Sequence, residues 1–127
     1  RVAVPGAGDE LHHFGWNACS SCLCPNAPHP HMERRYLIVP GLRSSNIHVF
    51  DTKPDPKNPK LIRTISAKEV ATLAGYSRPH TVHCGPDGIY VTALANGEAY
   101  DAGYVGSTGD GEPNGVTVIG DVVSVRP

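Results

Sequence analysis

Hydrophobic residues in this chain come in short runs that alternate with polar ones, and glycine and proline cut each run before a helical stripe can develop. Six runs stand out: 1–5 (RVAVP), 35–42 (RYLIVPGL), 46–52 (NIHVFDT), 60–65 (KLIRTI), 88–94 (GIYVTAL) and 115–119 (GVTVI), with 122–125 (VVSV) following a Gly-Asp turn. Short runs rich in β-branched and aromatic residues, bounded by turn formers, predict strands. One segment breaks the pattern. Over 66–76 (SAKEVATLAGY) Ser66 can cap a helix, Glu69 falls three residues later as in a capping box, and Gly75 can close the far end. Two long connections remain, 17–34 with three of the cysteines and 95–114 with many glycines and acids.

The strands repeat weakly. YLIVPGLRSSNIHVFDT followed by KLIRTI resembles IYVTAL, a loop, GVTVIGD and VVSV, with Tyr36 and Tyr90 separated by 54 residues. Three or four antiparallel strands recurring every ~40–50 residues form the pattern of a β-propeller blade. A single small sandwich or barrel is the alternative all-β arrangement.

Composition narrows the partners. With 127 residues the chain amounts to one domain, and 39% hydrophobic content supports a folded core. Eleven Lys and Arg against twelve Asp and Glu give a formal charge of −1, so there is no basic footprint for nucleic acid or an anionic membrane. No run approaches the roughly 20 apolar residues of a membrane-spanning helix. The start at Arg1, without Met, suggests a processed or truncated product.

Candidate chemistry gathers in 9–22 (DELHHFGWNACSSC) and in 78–84 (RPHTVHC). His12 and His13 precede the first strong strand of one repeat, and His80 and His83 precede that of the next. Successive blades return the chain to the axis at the same face, so the two clusters can converge. Neutral imidazoles gathered at one point bind Cu, Zn, Ni or Fe. An irregular turn would let His80 and His83 point the same way, whereas one of the adjacent His12 and His13 must sit on a bend to share a site. Asp9 and Glu10 can fix an imidazole tautomer from behind, or can be solvated loop acids.

Cys19 and Cys22 form a C-x-x-C outside any βαβ context. The readings, in order, are a reduced or reversible thiol pair, a structural disulfide and a zinc site with Cys24. Cys84 reads as a small buried hydrophobe. His29 and His31 read as surface-loop residues, His48 as a packed histidine sharing a strand face with Phe50, and Trp16 as a loop anchor.

Taken together in order, DELHHFGWNACSSC, RRYLIVPGLRSSNIHVFDT, PKLIRTI and PHTVHC resemble the N-terminal part of the selenium-binding protein family, whose members include methanethiol oxidase. The resemblance runs from about Gly8 to about Val118. It implies a seven-bladed β-propeller, of which residues 1–127 supply two to three blades as the N-terminal part of a single domain. It also implies, for the full-length parent, an enzyme that uses copper to oxidise methanethiol with oxygen and water to formaldehyde, hydrogen sulfide and hydrogen peroxide. His12, His13, His80 and His83 match the family's proposed copper ligands. The alternative is a non-catalytic carrier of thiol, selenium or metal, with Cys19 and Cys22 as the binding groups; a thiol–disulfide oxidoreductase using the same pair is a third reading. The family's selenium-linked cysteine lies upstream of this stretch, so selenium stays a family-level expectation assigned to no residue here. The last ten residues depart from the family pattern. A small thiol, together with the remaining propeller chain or further copies of this one, is the expected partner set. The cysteine count fits a cytoplasmic or a periplasmic protein equally.

Overall fold

Alternating β-branched runs build two antiparallel sheets and the capped segment builds one helix. In the computed structural model, residues 2–18, 33–85, 88–96 and 116–118 are described. The first sheet contains β1 (Gly15–Trp16), β2 (Tyr36–Pro40), β3 (Ile47–Asp51) and β4 (Lys60–Ile65) in sequential order. After α1 (Ala67–Ala74), the second contains β5 (Tyr76–Gly85), β6 (Gly88–Asn96) and β7 (Val116–Val118), again in chain order. All five pairings are antiparallel. The architecture is therefore mostly antiparallel β with little helix.

Alternation sorts each strand of the first sheet onto two faces. Ile47 and Val49 point to one side of β3 and, with Ile38, Ile65 and Val70, pack against Val82, Ile89 and Val91 of the second sheet. Full burial of side chains this large stabilises by about 1.5–3 kcal/mol each. His48 and Phe50 take the opposite face beside their cross-strand partners Val39 and Leu37. There the chain's start folds over the sheet, and Val2, Val4 and Leu11 wall a cavity of about 150 Å³ against Leu37, Val39 and Phe50. The expected strand over 1–5 is absent: residues 2–5 form no strand, and Val2 and Val4 contribute as a cover instead.

Polar groups fix where the strands begin and end. Asn17 is buried, and its side-chain oxygen accepts from the backbone N–H of Arg35 at 3.0 Å and of Tyr36 at 2.8 Å, while its amide donates to the Glu33 carbonyl at 2.7 Å. At the same end of β2, on its other neighbour β3, Arg35 donates to both oxygens of Asp51 at 2.8 and 2.6 Å. This bidentate contact holds the Asp51 carboxyl down at about 2. The helix forms as its caps predict: Ser66 accepts from the Glu69 N–H, Glu69 reaches back to the Ser66 N–H, and Gly75 closes the end at φ 74°. Asn46 adds a further acceptor for the Ala67 N–H at 2.9 Å.

Candidate metal centre

The segment bearing His12 and His13 has no regular structure of its own. It runs from Asp9 to the start of β1 with its ends held on neighbouring elements. At one end the Asp9 carboxylate accepts from the backbone N–H of Arg43 at 3.1 Å and of Ser44 at 3.0 Å, and from the Ser44 hydroxyl at 2.5 Å. At the other end Gly15 lies directly on Val82 of β5, where an added Cβ would meet the Val82 side chain and carbonyl oxygen at 2.7 Å. A glycine within a strand marks such a close backbone approach. Because residues 9–14 are not a regular strand, the alternation that would drive His12 and His13 apart does not operate.

His80 arrives on β5, whose entry is fixed two residues earlier. Arg78 and Ser45 both hold left-handed backbone, at φ 56° and 57°, and the Arg78 N–H donates to the Ser45 hydroxyl at 3.0 Å. Ser45 is completely buried. Residues 78–84, expected as an irregular turn before a strand, lie within β5 itself. The register slips between Pro79 and Val82, so that His80 and Thr81 together stand opposite Thr92 while Val82 pairs with Val91 and His83 with Tyr90. A regular strand would put His80 and His83 on opposite faces. The bulge restores them to the same one, about 7 Å apart along the strand.

Three imidazoles meet. Ring centres lie 4.5 Å apart for His13 and His80, 5.5 Å for His12 and His80, and 6.4 Å for His12 and His13. His83 is exposed and stands outside these ring contacts. Burial, and after it the neighbouring His13 and His12, push the His80 ring below its ordinary pKa and so favour its neutral form. One His80 nitrogen, Nδ1, is 3.0 Å from the Thr81 hydroxyl, which leaves Nε2 for other partners. As the rings stand, edge against face, no group of three or more His, Cys, Asp or Glu among the described residues has the geometry of a metal site.

The acids take different parts from one another. Asp9 is committed to backbone groups and Ser44, whereas Glu10 stands 4.0 Å from His12 Nε2 and 3.1 Å from Arg43 at an exposed edge. Cys19, Cys22, Cys24, His29 and His31 lie outside the described residues. Cys84 is half-buried rather than buried. Trp16 is half-buried with the Arg34 guanidinium 4.7 Å from its ring centre, and His48 is completely buried. Gly15, Ser45 and the Arg78 backbone are the residues that sequence reasoning missed; a lone glycine in HFGW was the available signal.

Two antiparallel sheets with a histidine cluster where their first strands approach define an all-β protein. The model of the 56kDa selenium binding protein family (SBP56) matches residues 1–110, and the chain belongs to that family. It is 46% identical over 99 residues to selenium-binding protein 2 of Arabidopsis thaliana, covering 77% of this chain and 20% of that protein. To a methanethiol oxidase of Danio rerio it is 40% identical over 97 residues, covering 76% and 20%. An X-ray structure of a hypothetical selenium-binding protein from Sulfolobus tokodaii superposes with a TM-score of 0.68 at 64% identity, over 76% of this chain and 21% of that one. The chain thus spans about a fifth of the length of these relatives.

Proposed function

We propose that this chain is the part of a copper-dependent methanethiol oxidase that supplies most of the metal's imidazole ligands, within a longer β-propeller domain. The observation that carries the reading is the meeting of His12, His13 and His80, supported by relatives named methanethiol oxidase at 36–40% identity. Imidazoles around one tetrahedral ion, with bonds of about 2.0–2.1 Å, have ring centres roughly 5 Å apart, and the observed separations bracket that value. To hold one ion, the rings of His12, His13 and His80 would have to turn from their edge-to-face contacts so that one nitrogen of each faces a common point. His83, on the same face of β5, is the fourth donor.

The residues hold and tune; they do not transfer protons. Low basicity at His80 keeps a lone pair available at neutral pH, since only the neutral imidazole can ligate. Thr81 at Nδ1 orients the ring and leaves Nε2 to the metal. Bound copper would supply a soft acceptor for the thiolate sulfur and a route for electrons to oxygen. The reaction balances as methanethiol, oxygen and water giving formaldehyde, hydrogen sulfide and hydrogen peroxide.

The test uses the full-length parent chain. His80→Ala should lose most bound copper and all sulfide and peroxide release from methanethiol, because removing one of about four ligands opens the coordination sphere. His29→Ala and His31→Ala should retain both. Equal copper content in all three variants would remove the metal assignment. Copper binding without turnover in the unsubstituted protein would leave the carrier reading in its place.

A further inference from the structure

We propose that Gly15, through its seat on Val82, and Asp9, through its seat in the turn at Gly41–Ser44, are positioning residues that set how closely His12 and His13 approach His80. The inference rests on reading the three histidines as a metal site, and it assigns a function to two residues that carry no ligand. Gly15 follows His13 by two residues and Val82 follows His80 by two. The Gly15–Val82 contact therefore lies beside the closest ring pair, His13 and His80 at 4.5 Å. One of the atoms a Cβ would strike is the Val82 backbone oxygen. A backbone atom within β5 cannot rotate out of the way, so any side chain at position 15 must separate β1 from β5.

Asp9 secures the other end. Its carboxylate collects two backbone N–H groups and a hydroxyl from the 43–44 turn, and the Leu42 N–H donates to the Glu10 carbonyl at 2.9 Å. Gly41 makes room for it, because a Cβ there would collide with the Asp9 carboxylate and the Ser44 hydroxyl. His12 and His13 are thus strung between two fixed points, one on the turn following β2 and one on β5. Ligand sets tolerate misplacement of only about 0.5 Å before they loosen. Separating β1 from β5 by that much or more costs affinity without removing any donor.

The experiment uses the full-length parent chain with Gly15→Ala, Asp9→Ala and, as a control that trims the same core cluster while leaving residues 9 and 15 unchanged, Val70→Ala. Copper affinity is measured by competition titration, ligand geometry by the nitrogen hyperfine pattern of bound Cu(II), and ring proximity by nuclear Overhauser contacts between selectively labelled His13 and His80 in the metal-free protein. Gly15→Ala and Asp9→Ala should each weaken copper binding at least tenfold, change the hyperfine pattern and lose the ring contact. Val70→Ala should melt earlier and keep all three signals. A folded Gly15→Ala that retains the ring contact and its copper affinity overturns the proposal, as does a Val70→Ala that loses copper equally. If Gly15→Ala does not fold, Asp9→Ala decides, and an unchanged ring contact there overturns it. Should the unsubstituted protein bind no copper, the function proposed above fails while the metal-free ring contacts still test the positioning.

Discussion

His48 shows how much one side chain can depend on its surroundings. It is completely buried, its Nδ1 is 3.1 Å from the Thr64 hydroxyl, and its Nε2 has no hydrogen-bond partner among the described residues. Burial lowers its pKa from the ordinary 6.5, against a smaller opposing pull from Asp9. The sign of the linkage follows: the unfolded chain takes up a proton at this ring before the folded one does. Stability is then full above pH ~6.5 and falls as pH drops towards the lower folded value, by at most about 1.4 kcal/mol per pH unit. His48→Leu fills similar space without an unpartnered nitrogen. Its melting temperature should match or exceed that of the parent at pH 7.5 and exceed it by more at pH 5.5. Parallel pH profiles for the two proteins would show that His48 titrates alike folded and unfolded.

At the scale of elements, strand ends and helix ends are set by single polar residues. Asn17 satisfies three backbone groups at once, and it ties residue 33 to residue 17 across the connection that carries Cys19 and Cys22. Removing its side chain leaves those groups to find water or go unpaired, at about 1–3 kcal/mol for each one left buried. Asn17→Ala should therefore destabilise by about 2–4 kcal/mol in urea unfolding of the parent chain. Cys19 and Cys22 should also label faster with a thiol reagent in the native protein, since the ends of their connection are no longer clasped. A change below about 0.5 kcal/mol would mean that water replaces all three bonds without loss.

At the scale of the molecule, two sheets share one core, and among the described residues no further strand pairs with their outer strands. β4 and β7 lie at the ends of their sheets among the described residues. Unpaired edges recruit other strands, and propellers remove the hazard by completing the ring. The described chain also covers about a fifth of its relatives' length. Residues 1–127 expressed alone should associate in solution, with a light-scattering mass above the 13.5 kDa of one chain, and should release neither sulfide nor peroxide from methanethiol with copper added. A monomer that catalyses the reaction would show that this segment needs no further strands.

Local chemistry determined much of this by itself. Strands over 36–40, 47–51, 60–65 and 88–96 follow from runs of β-branched residues, and the helix over 67–74 follows from Ser66, Glu69 and Gly75, because propensity, alternation and caps all act within a few residues. Family membership was equally legible, as a series of motifs in order. Only the tertiary structure decided the rest. Residues 2–5 look like a strand but find no partner edge, so they cover a sheet face instead. H-x-x-H at His80 and His83 violates strand parity until a bulge, seen only against Thr92, restores it. Gly15 in HFGW means nothing until Val82 lies on it. These three outcomes depend on contacts between segments distant in the chain, and local propensity carries no information about which distant backbone will arrive within 3 Å.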